Sequence, residues 1–307
     1  MISQHIQRFL EENEPVDAAD LPDDHAGMPK WRKRFEEQMV AVCRPAPDIT
    51  TSVAEIGGVS GVWFEPPRAR PDAPLLYLHG GGLITSSPRA HAGMIGEVAR
   101  AAGRRTFAPD YRLAPEHPFP AQRDDVLNAY RGLLESGFDG HRIAVFGDSA
   151  GGGLALVLAM VARDLDLPAP LGVATLSAWT DLAHTSESCR TVADAVCTLA
   201  MLKKMAQWAA GRADLTDSRL SPLYGDFANL PPLLILAGEL EALRDDSVRV
   251  ANRARDAGVD VTLRLFPGLP HIWPWFVPEA PESVDAYRAV AGFFTDLESR
   301  HQDCNSA

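Results

Sequence analysis

Apolar residues fall along this chain in two rhythms. Short apolar runs at Leu75–Leu78, Ile143–Phe146, Leu171–Leu176 and Leu233–Ala237 read as strands buried on both faces. Arg105–Ala108 and Thr262–Phe266 read as further strands, as do Ile49–Ile56 and Gly61–Phe64, which are joined through Gly57-Gly58. Between them lie stretches with helical spacing: His91–Ala102, Asp124–Leu134, Leu154–Val161, Ser247–Ala257 and Val284–Leu297. Strands alternating with helices predict an α/β fold, with a mainly parallel, doubly wound sheet covered by helices on both faces.

Two segments break that rhythm. In residues 1–48, Ile2, Ile6, Phe9 and Leu10 recur at helical spacing, as do Trp31, Phe35, Met39 and Val42, with Pro15, Pro22 and Pro29 breaking the stretch between. Two helices packed on the main body account for this pattern, and so does a lid over a pocket. Residues 183–217 form a second helical segment (Val192, Val196, Leu199, Leu202, Met205, Trp208) inserted between two core strands. An insertion there sits above the carboxyl edge of the sheet, where ligands bind in open α/β folds. The core is then residues 49–182 together with 218–307.

Composition narrows the partners. A formal charge of −12 argues against nucleic acid and anionic membranes, which demand clustered basic residues. No apolar run reaches the roughly 18 residues of a membrane span, and Met1–His5 shows no charged stretch leading into an apolar core, so no signal peptide is expected. Cys43, Cys189, Cys197 and Cys304 are scattered, with no Cys-x-x-Cys pair, as expected of reduced thiols in a cytoplasmic protein. There is no His-Glu-x-x-His, and the histidines do not stand at metal-ligand spacing, so no metal is expected.

The chemistry gathers at three places. Gly147-Asp148-Ser149-Ala150-Gly151 joins the Ile143–Phe146 strand to the Leu154–Val161 helix as Gly-x-Ser-x-Gly. That pattern marks a sharp strand-to-helix turn that exposes a serine hydroxyl at the sheet edge. His79-Gly80-Gly81-Gly82 follows the Leu75–Leu78 strand, and its glycines let successive N–H groups face outward to form, with the N–H of Ala150, an oxyanion hole. His79 itself is expected to brace the loop. His271 lies just past the last core strand, where the order Ser, acid, His requires a general base. The acid is expected in the loop after Leu233–Ala237, which carries Glu239, Glu241, Asp245 and Asp246.

Taken together, these motifs resemble those of the hormone-sensitive-lipase-like carboxylesterases of the α/β-hydrolase superfamily. The shared stretches are His79–Gly82, Asp110–Pro120, Gly147–Gly152, Trp179–Leu182, Ser221–Tyr224 and Phe266–His271, in the family's order over about residues 75 to 275. The resemblance implies an α/β-hydrolase fold with a helical cap made of residues 1–48 and 183–217. It implies Ser149 as nucleophile, His271 as base, and Gly80, Gly81 and Ala150 as oxyanion donors. It implies no cofactor, a small-molecule ester as substrate, and short to medium acyl chains; a homodimer stays open. Trp208, Trp273, Trp275 and Phe276 are the expected pocket walls.

One departure stands out. The family commonly carries Asp-x-Leu-x-Asp after the seventh strand, with its first Asp as triad acid. Here the matching pentad is Glu241-Ala242-Leu243-Arg244-Asp245, so Glu241 takes that place, with Asp245 and Glu239 as alternatives. Asp245, Asp246 and Ser247 are otherwise explained as caps of the next helix, and Asp110 and Arg112 as a pair beneath the Asp110–Pro120 loop. The same triad serves amidases, lactonases and deacetylases, and the fold also supports non-catalytic receptors.

Overall fold

A computed structural model describes the backbone of residues 2–306 and the side chains of residues 2–41 and 43–301. The side chains of Val42 and Cys304 lie outside the described residues. Two N-terminal helices, α1 (Gln4–Glu12) and α2 (Met28–Val42), precede an antiparallel pair, β1 (Thr50–Ile56) and β2 (Val59–Glu65). The chain then alternates through β3 (Arg70–Leu78), α3 (Ala92–Ala102), β4 (Arg104–Pro109), α4 (Ala121–Glu135), β5 (Ala144–Asp148), α5 (Ala150–Asp164) and β6 (Gly172–Leu176). The insertion contributes α6 (Ser188–Thr191) and α7 (Leu199–Ala210). β7 (Leu233–Leu240), α8 (Arg244–Asp256), β8 (Val261–Pro270), α9 (Trp273–Phe276) and α10 (Pro281–Ser306) complete the chain.

The eight strands form one sheet in the order β1-β2-β4-β3-β5-β6-β7-β8. It is parallel from β4 through β3 to β8, while β1 and β2 run antiparallel at one edge. The central strands carry uninterrupted apolar runs, such as Leu75–Leu78 of β3, because both faces are covered there. Leu76, Leu78, Val145, Val173 and Ile235 face α4, α5 and α8. Their neighbours Leu75, Tyr77, Phe146, Ala174 and Leu236 face α3 and α10. Successive residues alternate faces because a strand repeats every two residues.

The two segments that broke the rhythm meet each other. The N–H of Val16 donates to Val196 O at 2.8 Å, and that of Thr198 to Val16 O at 3.1 Å. Lys204 Nζ, on α7, reaches the carbonyl of Ala18 at 3.1 Å.

Two local expectations are corrected. Arg112 does not pair with Asp110: its guanidinium forks onto Asp125, with Nη2 at 2.7 Å. α4 begins at Ala121, so it presents Asp125 in its second turn, where both carboxylate oxygens can be reached. Asp245, Asp246 and Ser247 do not cap α8 either, because the helix already begins at Arg244 and puts them inside its first two turns. Asp246 is wholly buried and accepts the N–H groups of Thr180 (2.9 Å) and Asp181 (2.8 Å). Asp245 accepts the Ser188 N–H at 2.8 Å and pairs with Arg244 at 2.9 Å. These carboxylates fasten the loop after β6 and the insertion onto α8.

Candidate active site

β5 ends at Asp148 and α5 starts at Ala150, so the whole reversal falls on Ser149. Its backbone takes φ 50° and ψ −123°, a region costing a non-glycine residue on the order of 1–3 kcal/mol. Two glycines permit the turn. A Cβ on Gly147 would lie 2.2 Å from the Gly151 carbonyl oxygen, and one on Gly151 would lie 2.0 Å from that of Leu78. The turn is pinned on both sides, by Ser149 N–H to Leu176 O and by Trp179 N–H to Ser149 O, each at 2.9 Å.

His271 Nε2 lies 3.0 Å from Ser149 Oγ, with both residues buried. The histidine follows β8, and the next N–H, that of Ile272, donates to Ser177 Oγ at 3.2 Å. His271 Nδ1 faces Glu241 Oε2 at 3.5 Å. Glu241 directly follows β7, is fully buried, and neither of its oxygens makes a well-formed hydrogen bond among the described residues. Burial raises the Glu241 pKa, with His271 and the Ser177 hydroxyl only partly offsetting it. Burial pulls the His271 pKa down, the carboxylates of Glu241, Asp194 and Asp148 together push it up by more, and the net shift is upward. Asp245 is turned toward Ser188 and Arg244, and Glu239 is exposed.

The glycine loop requires one correction. The Gly80 N–H is already spent, donating to Asp148 Oδ2 at 3.1 Å. Asp148 is a fully buried carboxylate that also accepts the Tyr77 hydroxyl at 2.8 Å and contacts His91 Nε2 at 3.2 Å. A buried charge gathers donors, and the nearest backbone N–H is one of them. Burial raises the Asp148 pKa, but His91 and Tyr77 lower it by more, so it stays below the usual carboxylate range. Among the described residues the N–H groups of Gly81, Gly82 and Ala150 have no acceptor, so these are the donors free to bind an anion.

His79 braces the loop: its Nδ1 donates to Gly80 O at 2.7 Å and its ring stacks on Tyr111 at 4.2 Å. Burial lowers its pKa to about 3, keeping it neutral.

The tryptophan expectations divide. Trp273 and Trp275 are not pocket walls. Trp273 has no exposed surface and packs on Phe266, while Trp275 stacks on His91 at 4.5 Å and donates Nε1–H to Ala90 O. α9 turns both rings into the core between sheet and helices. Trp208 is half-buried on α7, with Lys204 Nζ 5.3 Å above its ring. Phe276 stacks on Phe9 at 4.9 Å and borders a groove of about 420 Å³ with Trp31, Phe35 and Met39. Spacing places Met205 of α7 on a helix but not against the glycine loop, where a Cβ on Gly82 would sit 2.2 Å from its sulfur. The apolar face of α7 is legible in the sequence, but its partner is not.

Among the described residues no cluster of His, Cys, Asp or Glu is disposed to hold a metal ion, and no helix is long and apolar enough to cross a membrane.

A family model described as alpha/beta hydrolase fold matches residues 75–274. The chain is 38% identical over 247 residues to an acetyl-hydrolase of Streptomyces hygroscopicus, covering 79% of this chain and 81% of that protein. It is 34% identical over 257 residues to an ethyl acetate hydrolase of Pseudomonas putida, covering 78% and 81%. Among solved structures, an esterase of the bacterial hormone-sensitive lipase family superposes with a TM-score of 0.89 at 36% identity, covering 97% of this chain and 99% of that one.

Proposed function

The chain belongs to the alpha/beta-hydrolase family, in its hormone-sensitive-lipase-like branch of carboxylic ester hydrolases, and from that premise we propose that it cleaves short- to medium-chain esters by a Ser149–His271–Glu241 triad. The observation that carries the reading is the 3.0 Å approach of His271 Nε2 to a serine hydroxyl held on a strained turn.

Ser149 Oγ attacks the ester carbonyl carbon while its proton passes to His271 Nε2. The carbonyl oxygen becomes an oxyanion, taken up by the N–H groups of Gly81, Gly82 and Ala150; one such donor is worth about 3 kcal/mol in the transition state. The bond to the alcohol oxygen then breaks, the alcohol leaves with the proton from His271, and an acyl-serine remains. Water then attacks the acyl carbon, giving a proton to His271; the bond to Ser149 Oγ breaks, His271 returns the proton to that oxygen, and the acid leaves. Glu241 orients the imidazole and stabilises its charged form.

Short acyl groups are supported by α7, whose Met205 lies against Gly82 and narrows the space above the oxyanion loop. The names of two relatives, acetyl-hydrolase and ethyl acetate hydrolase, point the same way. The test is a p-nitrophenyl ester series from acetate to palmitate, with an emulsified long-chain triglyceride, run on the wild type and Ser149→Ala. Turnover is expected to peak at acetate to butyrate. Ser149→Ala is expected to lose roughly 10⁴-fold or more in kcat while keeping its fold. Faster turnover of the triglyceride than of the butyrate ester rejects the chain-length assignment, and an active Ser149→Ala rejects the triad.

A further inference from the structure

We propose that Asp194, a residue of the insertion, is a positioning residue for Glu241: it holds the backbone from which the triad acid projects. The inference rests on the triad reading above and adds a residue that no motif marks.

Glu241 has no well-formed hydrogen bond of its own, so its carboxylate is aimed by its backbone and packing. The next residue, Ala242, is held at both of its polar backbone atoms by the insertion. Its N–H donates to Asp194 Oδ2 at 2.7 Å, a charge-assisted bond of the stronger class. Its carbonyl accepts the Ser188 hydroxyl at 2.7 Å and the Cys189 thiol at 3.2 Å.

Asp194 is buried, and its other oxygen accepts the N–H groups of Val196 (2.8 Å) and Cys197 (3.4 Å). Those two residues carry the junction with the N-terminal segment: Val196 O accepts the Val16 N–H, and Cys197 bridges to Val16. One side chain therefore ties both overlying segments to the residue after the triad acid. A side chain with only a local structural duty in the insertion would not need to reach across to β7's end.

Asp194 also bears on the base. The charged groups facing His271 are Glu241 after β7, Asp194 from the insertion and Asp148 at the end of β5, and all three act to raise its pKa. Removing the Asp194 charge takes away one of these contributions. His271 then becomes neutral at lower pH, and the acid limb of the activity profile moves down.

The experiment is p-nitrophenyl acetate hydrolysis by the full chain across the acid limb, with kcat and KM separated. Asp194→Asn removes the charge while keeping one acceptor oxygen. It is expected to lose roughly 10- to 100-fold in kcat, the scale of a misplaced catalytic group, with KM changed less than about twofold and the acid limb displaced to lower pH. A folded Asp194→Asn with wild-type kcat and an unmoved limb overturns the inference, even if its melting temperature falls.

If Asp194→Asn does not fold, Asp194→Glu keeps the charge and displaces the acceptor from the Ala242 N–H by one methylene. Loss of kcat at constant KM in that variant supports the proposal, and wild-type kcat overturns it. Ser149→Ala, run in parallel, separates two failures. If it is inert while Asp194→Asn is fully active, only the Asp194 inference falls. If Ser149→Ala is active, the triad reading falls and this inference with it.

Discussion

His271 Nδ1 and Glu241 Oε2 stand 3.5 Å apart with neither exposed to solvent. A well-formed N–H···O bond is about 2.9 Å, so the pair is in contact but looser than a full hydrogen bond. Catalytic hydrogen bonds are commonly loose before substrate arrives and tighten when charge develops on the imidazole. A glutamate in this place reaches one methylene further than an aspartate, and its backbone is held correspondingly firmly.

Replacing the carboxylate should therefore act on the chemical step. Glu241→Gln is expected to lose about 10²- to 10⁴-fold in kcat with a melting temperature close to wild type. Glu241→Asp should also lose activity, because its carboxylate withdraws from a contact that is already long. Wild-type kcat in Glu241→Gln would remove Glu241 from the triad.

The pH profile carries a sign that can be checked. A histidine base must be neutral to take the serine proton, so activity falls as pH drops through its pKa. The His271 pKa is raised above its ordinary value, burial being outweighed by Glu241 together with Asp194 and Asp148. The acid limb of kcat/KM should accordingly lie above the value of about 6.5 of an unperturbed histidine. Glu241→Gln should bring the limb down, and a limb at the same pH in both proteins would contradict the assignment.

The glycine loop discriminates between its members. Gly81 has φ +107°, and a Cβ there would lie 2.3 Å from the Thr85 carbonyl oxygen, so Gly81→Ala must move the backbone. A loss of roughly 10²- to 10³-fold in kcat is expected, the scale of one oxyanion donor. Gly82, at φ +61°, also strains an alanine, but the added Cβ meets the flexible Met205 side chain and not backbone, so Gly82→Ala should lose less. Equal kcat in Gly81→Ala and wild type, by steady-state assay, would exclude Gly81 as a donor.

Asp246 should impose a pH dependence on stability. Burial lifts its carboxyl from 3.8 to about 7 in the fold. Its stabilising contribution is then complete below its unfolded value and is lost as pH rises through about 7, where the buried group must ionise. Melting temperatures of the wild type should fall from about pH 4 to about pH 7, the window between the unfolded and folded values, while those of Asp246→Asn stay flatter. Asp246→Ala strands the N–H groups of Thr180 and Asp181 and should lose about 1–3 kcal/mol for each. Parallel melting curves for wild type and Asp246→Asn would dismiss Asp246 as the titrating group.

Much of this protein was settled by local pattern. The runs Leu75–Leu78 and Ile143–Phe146 are central parallel strands because only strands covered on both faces are apolar without interruption. Gly147 and Gly151 around Ser149 announce the sharp turn because no other residue fits where strand and helix backbones touch. His271 and the glycine loop are legible for the same reason: each stands at the end of a strand, and a strand end is a feature of a few consecutive residues.

Only the tertiary structure decided which groups meet across long sequence separations. Glu241 and not Asp245 stands against His271, because α8 starts at Arg244 and carries Asp245 round toward Ser188. Gly80 loses its N–H to Asp148, 68 residues away, so the free donors shift along the loop by one residue. Trp273 and Trp275 lie in the core, since an aromatic side chain after a strand reads alike whether it lines a pocket or fills a layer. Asp194 was invisible for the same physical reason. A spacing records which way neighbouring residues point, whereas a hydrogen bond between the insertion and the end of β7 exists only once both have been packed together.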